Sequence, residues 1–312
     1  MKALVINQFG GPERLQVSDY AMPSSKRRGV LIRVHAAGVN PVDYKIRNGS
    51  MKWITGRKFP RILGFDVAGT IEQADSGSKH KPGDRVFAML PFTGGGYAEF
   101  VAVAEKYVYS IPKMISYEEA AATPLAALTA YQAFLKTNSL EAGKKVLING
   151  ASGGVGSFAV QIARAMGLEV TAVTSSKNVE FAAQLGAHRV IDYTREDFTK
   201  TGLRFDTVFD AVAKSSFPKC KGILNKNGQY ITTVPNNGLF RHMPANFLRS
   251  KKASYILVKP SGGDLAIIAD LIEKGQVKAV VEKTYPMDEG GAAHQLLESQ
   301  RVRGKLVLVN TF

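Results

Sequence analysis

The sequence is poor in cysteine and contains no long apolar run. Its 312 residues include a single cysteine, Cys220, which excludes an internal disulfide and a zinc site built from four thiolates. No uninterrupted apolar segment approaches the roughly 20 residues of a membrane-spanning helix. The N-terminal residues MKALVINQFGG also lack a basic stretch followed by an apolar secretory core. We therefore expect a cytoplasmic protein without a transmembrane segment.

Acidic residues are few relative to basic ones. Aspartate and glutamate number 26 against 41 lysines and arginines, a formal net charge of +15. An excess of this size suits anionic partners such as phosphates, nucleic acid or acidic lipid. The densest basic clusters are SKRR at 25–28 and KHK at 79–81, and no zipper, zinc-finger or RNA-recognition motif accompanies them. We expect scattered surface charge and no specific nucleic-acid partner, with peripheral membrane contact left open.

The order of strand-like and helix-like segments changes along the chain. Short strand-like segments broken by Gly and Pro fill the first 115 residues, which is typical of an antiparallel, barrel-like fold. From Ser116 to Lys136 the pattern is helical, and Ser116 with Glu119 has the spacing of a capping box. Strands and helices then alternate, which predicts a parallel sheet covered by helices on both faces. The last strand, GKLVLVN, returns to the first pattern. We predict an α/β protein in which residues 1–115 and 260–312 build one domain and residues 116–259 another.

A glycine-rich loop, GASGGVG at 150–156, lies between the strand KVLIN and a helix. Glycines in this place permit a tight turn, bring the backbone close to a pyrophosphate, and leave the helix amides and dipole facing that group. The next strand follows at the spacing of a βαβ unit, so the loop predicts dinucleotide binding rather than an ordinary turn. The residues expected to contact the cofactor are Gly150, Ser152, Gly153, Gly154, Val155 and Gly156.

The second strand of this unit, EVTAVTSSK at 169–177, ends without an acid. NAD enzymes place an Asp or Glu there to bond the ribose hydroxyls, and that charge would repel a 2′-phosphate. This chain instead offers hydroxyls, an amide and one cation, which suit a phosphate dianion; the residues are Thr174, Ser175, Ser176, Lys177 and Asn178. We predict NADPH as the cofactor, the alternative being that these residues only cap the next helix. Tyr193, which ends the following strand, is expected beside the adenosine.

Several phrases of the sequence resemble one family over essentially the whole chain. They are VLIRVHAAGVNPVDYKIRNG (30–49), FPRILGFDVAG (59–69), KPGDRVFA (81–88), GGGYAEF (94–100), the glycine loop, LGAHRVIDY (185–193) and RGKLVL (303–308). The sequence is similar to the medium-chain dehydrogenase/reductases, in the zinc-free quinone oxidoreductase branch. Within that branch it most resembles plant members of the chloroplast-envelope quinone oxidoreductase type and the enone and alkenal reductases. The resemblance implies a GroES-like, β-rich catalytic domain, a Rossmann domain that binds NADPH, an active site in the cleft between them, and a homodimer.

The resemblance also implies that no metal takes part. Zinc members place a catalytic Cys where this chain has Asn40-Pro41-Val42-Asp43, and Gly-His-Glu where it has Gly64-Phe65-Asp66. The family's second lobe of four cysteines is missing as well. Because an alcohol dehydrogenase needs its zinc to polarise the oxygen, we expect no alcohol oxidation and no metal ligands.

The activity implied by the resemblance is hydride transfer from NADPH to a quinone, or to the activated double bond of an α,β-unsaturated carbonyl. Lys45 matches the lysine that related enone reductases place against both the cofactor and the substrate carbonyl, where a cation steadies the developing negative charge. Asn40, Asp43 and Tyr44 are expected to hold the loop and the nicotinamide amide. From the residues alone, the alternatives are a surface lysine for Lys45 and a helix cap for Asp43. Less specific carry-overs place Thr233, Arg301 and Lys305 near the cofactor.

A second hypothesis belongs to another class of protein. The basic surface could make the chain an NADPH-binding protein that acts on RNA or on an anionic membrane rather than by turnover. Clustering of Lys and Arg with aromatic residues would favour it, and the sequence shows no obvious clustering of that kind.

Overall fold

The computed structural model describes residues 1–24, 29–137, 141–234, 243–245 and 250–312. The basic cluster at 25–28 lies outside them. The chain divides into two compact units, a first one of Met1–Leu128, Lys259–Glu273 and Ala279–Phe312, and a second one of Thr129–Val258 and Lys274–Lys278.

This division differs from the predicted boundaries in two segments, and in a shift of one residue at Lys259, which belongs to the first unit. Residues 116–128 belong to the first unit because the start of the helical segment packs on its strands; a Cβ added to Gly38 would lie 2.4 Å from the Ala121 carbonyl oxygen. Residues 274–278 belong to the second unit because Gln161 bonds both backbone groups of Lys278, at 3.0 and 2.9 Å. The change in sequence pattern therefore marks where helices begin, not where the first unit ends.

Most of the first unit is antiparallel sheet. Its strands are β1 (Lys2–Ile6), β2 (Gln16–Asp19), β3 (Gly29–Val39), β4 (Arg61–Ile62), β5 (Asp66–Ala74), β6 (Arg85–Met89), β7 (Phe100–Ala104), β8 (Val108–Ser110), β15 (Val281–Pro286) and β16 (Lys305–Val309). One sheet has the order β2-β1-β4, and the larger has β15-β16-β3-β5-β6-β8, with β7 also paired to β3. Only β15 and β16 are parallel neighbours among these described strands. The long β3 is central and is buried along most of its length, and its residues Val30, Ile32 and Val34 belong to a buried core of Val, Ile, Leu and Ala side chains.

Most of the helices that lie wholly within the described first unit are short. They are α1 (Pro41–Arg47), α2 (Lys52–Thr55), α3 (Tyr117–Ala121), α8 (Gly262–Glu273) and α9 (Gly290–Glu298). The capping box predicted for Ser116 and Glu119 is present at the start of α3. The helix predicted over 116–136 is interrupted before Pro124, and α4 (Pro124–Leu135) begins there, since the residue before a proline disfavours helical torsions.

The second unit is built on a parallel sheet. Its strands are β9 (Lys145–Asn149), β10 (Glu169–Thr174), β11 (Arg189–Asp192), β12 (Phe205–Asp210), β13 (Leu224–Thr232) and β14 (Lys252–Tyr255). In the described residues their order is β11-β10-β9-β12-β13-β14, and every pairing is parallel. Counted from β9 this is the 3-2-1-4-5-6 order of dinucleotide-binding folds, in which ligands bind at the carboxyl ends of the strands near the reversal point.

Three described helices complete the second unit together with the end of α4. They are α5 (Gly154–Ala165), α6 (Val179–Gln184) and α7 (Phe217–Cys220). The core between sheet and helices is apolar and includes Cys220, which is fully buried. None of the helices in the described parts of the chain is long and apolar enough to cross a membrane.

Candidate active site

Helix α1 carries the residues predicted for catalysis, and its start is fixed by Asp43. Asn40 precedes the helix, and its backbone N–H donates to Asp43 Oδ2 at 2.8 Å. The other carboxylate oxygen accepts from the backbone N–H of Gly64 at 2.9 Å. Asp43 is fully buried, so it joins the helix start to the segment before β5 and caps the helix, as its alternative interpretation predicts.

A buried ion pair lies directly beside this helix start. The Lys305 ammonium lies 3.4 Å from Asp66 Oδ2 and bonds the carbonyl oxygen of Val39 at 3.3 Å and Asn40 Oδ1. Asn40 in turn donates to Asp66 Oδ2 at 2.9 Å. Asp66 Oδ1 accepts from the backbone N–H of Leu125 at 2.7 Å. The three donors of one ammonium thus meet three oxygens in the interior, and Asn40 is fixed from both ends of its amide.

Asp43 also faces a buried Tyr–His pair. The Tyr97 hydroxyl lies 3.2 Å from His294 Nε2, and both side chains are fully buried. Burial, and next the negative charge of Asp43, raises the pKa of Tyr97 well above its ordinary value. Burial, helped by the positive charge of Arg47, lowers the pKa of His294 to about 3, so the imidazole is neutral. Burial raises the pKa of Asp43 itself to about 7.

Tyr44 and Lys45 occupy a different environment on the same helix. Both side chains are half-buried, unlike Asn40 and Asp43, which are enclosed. Burial lowers the pKa of Lys45, and burial raises the pKa of Tyr44. The structure therefore places all four predicted catalytic residues on α1 and its cap, two of them enclosed by protein and two partly open to solvent.

In the second unit the glycine loop has the compact geometry that a close backbone approach requires. Gly150 has φ +81°, in the left-handed region that favours glycine. A Cβ added to Gly156 would lie 2.1 Å from the Gly150 carbonyl oxygen, whereas one added to Gly153 would have its nearest neighbour at 3.6 Å. Helix α5 begins at Gly154 with Gly153 as its N-cap, so the loop leads directly into the amides of a helix start.

The end of β10 is hydrogen-bonded to this loop. Thr174 Oγ1 donates to Ser152 Oγ at 3.0 Å. Asn178 Nδ2 donates to the same oxygen at 3.3 Å and to Ser175 Oγ at 3.4 Å. The loop residue Ser152 thus forms one polar cluster with three residues at and after the strand end, at the carboxyl edge of the parallel sheet; the three are Thr174, Ser175 and Asn178.

An acid that the sequence interpretation missed lies beside this cluster. Ser176 Oγ donates to Asp192 Oδ2 at 2.5 Å, and Thr194 bonds Asp192 Oδ1 through its N–H and hydroxyl at 3.0 and 2.7 Å. The pKa of Asp192 is lowered by these bonds, of which the one from Ser176 has the largest effect, so the carboxylate is ionised. Asp192 ends β11 opposite Thr174, and the pairing of neighbouring parallel strands is the signal that could have found it. Lys177 and Tyr193 are exposed nearby in the chain.

The remaining predicted residues lie apart from these groups in the sequence. Thr233 follows β13, and its hydroxyl donates to the Ala211 carbonyl oxygen at 3.2 Å. Arg301 belongs to the first unit, is exposed, and donates its backbone N–H to Ser299 Oγ at 3.3 Å.

Comparison with known proteins gives matches along nearly the whole chain. Residues 26–113 match the alcohol dehydrogenase GroES-like domain, and residues 185–308 match the family described as zinc-binding dehydrogenase. The chloroplast envelope quinone oxidoreductase homolog of Arabidopsis thaliana is 34% identical over 99% of this chain and 98% of its own length. The Homo sapiens quinone oxidoreductase is 33% identical over 99% and 98%. The chain belongs to the quinone oxidoreductase branch of the medium-chain dehydrogenase/reductases.

Solved structures of this family agree with the predicted fold class. The quinone oxidoreductase of Coxiella burnetii superposes with a TM-score of 0.89 at 31% identity and 99% coverage of both chains. The Escherichia coli quinone oxidoreductase complexed with NADPH superposes at 0.85 with 26% identity, over 99% of this chain and all of that one. The predicted combination of a GroES-like domain and a Rossmann-type domain is confirmed.

The family includes zinc enzymes. The side chains at the corresponding positions of this chain decide whether it could bind the metal. In this medium-chain reductase Phe65 supplies no ligand atom, and the Lys305 ammonium already lies against Asn40 and Asp66. Across the described ranges no group of three or more His, Cys, Asp or Glu could hold a metal ion. A second cation beside Lys305 would be repelled, and these residues do not fit zinc.

Proposed function

We propose that this protein is an NADPH-dependent oxidoreductase that reduces quinones, and activated enones by the same chemistry, without a metal. The observation that carries the proposal is the polar cluster of Ser152, Thr174, Ser175 and Asn178 next to the glycine loop. It stands where parallel sheets of this strand order bind dinucleotides. The names of the relatives supply the acceptor class, because the matched proteins are quinone oxidoreductases.

The glycine loop is suited to hold the cofactor's pyrophosphate. The space at Gly156 admits no side chain, while Gly153 leaves room next to the start of α5. The exposed amides and dipole of a helix start favour a negatively charged group there. The hydroxyls and amide at the end of β10, with Lys177, would take the 2′-phosphate, and Tyr193 would lie against the adenine. A bound NADPH supplies the hydride for the reduction.

Lys45 would act on the acceptor rather than on the cofactor. As charge builds on a quinone or enone oxygen, a nearby cation stabilises it, and one well-placed donor of this kind is worth about 3 kcal/mol of barrier. Lys45 is half-buried and burial lowers its pKa, so it is poorly solvated and interacts more strongly with such an oxygen. Asn40 and Asp43 hold α1, and therefore Lys45, in place through the buried ion pair and the helix cap.

Metal independence is supported by Lys305. Its ammonium balances Asp66 and orients Asn40, so the start of α1 is held by a side chain of the protein itself. The enzyme is also proposed to form a homodimer through an edge of its parallel sheet, which sedimentation velocity tests directly.

Turnover is the decisive test. Purified protein, treated with a chelator, is mixed with NADPH and a panel of benzoquinones, naphthoquinones, enones and alkenals, and the loss of reduced-cofactor absorbance is followed. We expect turnover with quinones that is unchanged when zinc is added. Binding of NADPH without consumption by any acceptor would overturn the proposed reaction and favour the non-enzymatic hypothesis.

Cofactor selectivity is tested separately by titrating NADPH and NADH. Lys177→Ala should weaken NADPH and leave NADH unchanged, because it removes a cation that only the 2′-phosphate needs. Asp192→Asn should strengthen NADPH, because it removes a negative charge next to Ser176. Equal affinity for both cofactors in the wild type, with neither variant changing the ratio, would contradict the NADPH assignment.

A further inference from the structure

The segment after α1 exposes two adjacent apolar side chains. Trp53 and Ile54 are 86% and 72% exposed, the highest values among the large apolar side chains of the described residues. Both lie on α2 (Lys52–Thr55). Adjacent exposed apolar side chains rimmed by polar residues are a feature of protein–protein and membrane interaction sites.

The chain on both sides of this apolar tip, Trp53 and Ile54, is bonded to or packed against neighbouring residues. The Met51 N–H donates to the Lys45 carbonyl oxygen at 3.2 Å, and Arg61 donates to the Thr55 carbonyl oxygen at 2.7 Å. Phe59 packs edge-on against Phe9, with ring centroids 4.9 Å apart. The tip is therefore an ordered part of the first unit, since the chain on each side of it is bonded to or packed against that unit.

Positive charge surrounds the tip. Between Asp43 and Asp66 the chain carries six cations and no acid. Arg47 is buried and paired with Glu298, which leaves five cations that are not enclosed. Arg57 and Lys58 are exposed, and the Lys52 ammonium lies 5.8 Å from the centroid of the Trp53 ring.

We propose that the apolar tip docks the protein on anionic lipid bilayers. Tryptophan is favoured at the boundary between headgroups and acyl chains, short apolar side chains enter that layer, and surrounding Lys and Arg attract acidic headgroups. A single indole beside an aliphatic Ile54 is a poor stacking surface for RNA bases, which use successive aromatic side chains. Two copies of the tip facing one another across a symmetric contact would bring their cations together.

Docking would bring the C-terminal end of α1 to the bilayer, because Met51 bonds the carbonyl oxygen of Lys45. If the proposed function holds, the acceptor class that this favours is a lipid-soluble quinone taken from the membrane. The docking itself does not depend on that reaction, so its test can succeed or fail separately from the turnover assay.

Trp53 is the only tryptophan of the chain, so it reports binding without a label. The full-length protein is titrated with vesicles of phosphatidylcholine alone and with vesicles containing phosphatidylglycerol, at rising salt. We expect a blue shift of the emission and quenching by brominated acyl chains with the anionic vesicles only, reversed by salt. No change in emission with anionic vesicles would overturn the proposal.

Matched charge variants separate the tip from the overall charge. Arg57→Glu/Lys58→Glu should lower the partition coefficient at least about tenfold, since each surface cation contributes about fivefold. Lys200→Glu/Lys226→Glu makes the same change in net charge at exposed sites of the second unit and should have a much smaller effect. Equal losses in the two variants would show that only net charge matters and would overturn docking through the tip.

Trp53→Ser/Ile54→Ser should abolish co-sedimentation with anionic vesicles while leaving the thermal melting curve unchanged, because both side chains are outside the core. Retained co-sedimentation would contradict the proposal. The proposal would also be contradicted if the tip were needed for binding a single-stranded RNA oligonucleotide, or for dimerisation, while the protein did not bind vesicles.

Discussion

The Lys305 ammonium and the Asp66 carboxylate form an ion pair of 3.4 Å in which the side chains are 4% and 0% exposed. The pair joins β16 to the start of β5 across β3, whose end carries Asn40. Burial raises the pKa of Asp66, and the charge of Lys305 opposes that shift. Each charge is tolerated in the interior because the other lies next to it.

Removing one partner should be costly. Lys305→Met leaves an uncompensated carboxylate in the core, so we expect the free energy of unfolding to fall by about 3–5 kcal/mol, measured by urea denaturation at neutral pH. Lys305→Met/Asp66→Asn should lose less than the sum of the two single variants.

The matched control is an exposed ion pair of the same sheet. Arg33 and Glu72 lie 3.1 Å apart with side chains 50% and 36% exposed, so Arg33→Met should cost no more than about 1 kcal/mol. A loss for Lys305→Met as small as that of Arg33→Met would show that the buried pair is not needed to hold the helix start.

Features encoded by neighbouring residues could be predicted from the sequence. The capping box of Ser116 and Glu119, the strand–glycine loop–helix order and the change from antiparallel to parallel sheet all follow from local spacing and periodicity. The cluster of Thr174 and Asn178 with Ser152 follows from a general property of parallel sheets, whose strand ends meet at one edge.

Features that depend on distant pairing could not be predicted. Lys305 and Asp66 are 239 residues apart, and Tyr97 and His294 are 197 apart, so no local pattern connects them. Asp192 belongs to the same class, because it ends β11 and comes next to the end of β10 only through strand pairing. The same limit applied to the unit boundary, since packing of α3 on the first unit is invisible in its helical pattern.

Replacing Lys45 should affect the rate more than binding. Lys45→Ala should lower kcat with the best quinone about a hundredfold, because it removes the cation expected to stabilise the developing oxyanion, and should leave NADPH affinity unchanged. Lys113→Ala, at an exposed position of the same unit, should leave both unchanged.

The protonation state of Lys45 offers a second measurement. Burial lowers its pKa, so wild-type kcat should fall as pH rises through that lowered pKa, while Lys45→Arg should stay flat in the same range because arginine remains charged. Unchanged kcat in Lys45→Ala would remove Lys45 from the proposed mechanism.

Two glycines of the loop should respond differently to the same substitution. Gly153→Ala should fold normally, because the nearest atom to the added Cβ is 3.6 Å away, but should weaken NADPH binding by intruding on the pyrophosphate. Gly156→Ala should destabilise the second unit, because its Cβ would meet the Gly150 carbonyl oxygen at 2.1 Å. Thermal melting and cofactor titration distinguish the two effects, and unimpaired NADPH binding by Gly153→Ala would place the cofactor elsewhere.

The contribution of Asp43 to the free energy of unfolding should decrease as pH rises. Burial raises its pKa to about 7, with Asp66 adding to the shift and Lys305 and the two backbone N–H donors opposing it. An unfolded aspartate titrates near its ordinary value of 3.8, so between these values the folded state binds more protons than the unfolded state. The stabilisation from this group is complete below about 4 and is lost as pH rises towards 7.

The lowered pKa of His294 affects stability in the opposite direction, since below its ordinary value of 6.5 this group favours the unfolded state. His294 is present in both the wild type and Asp43→Asn, so a comparison of the two proteins isolates the effect of Asp43. The free energy of unfolding of the wild type relative to the variant should decrease by about 4 kcal/mol from pH 4 to pH 8. Urea denaturation at intervals of one pH unit measures it. A difference between the two proteins that stays constant over this range, or that increases with pH, would mean that Asp43 is ionised throughout and that its two N–H donors, rather than burial, set its pKa.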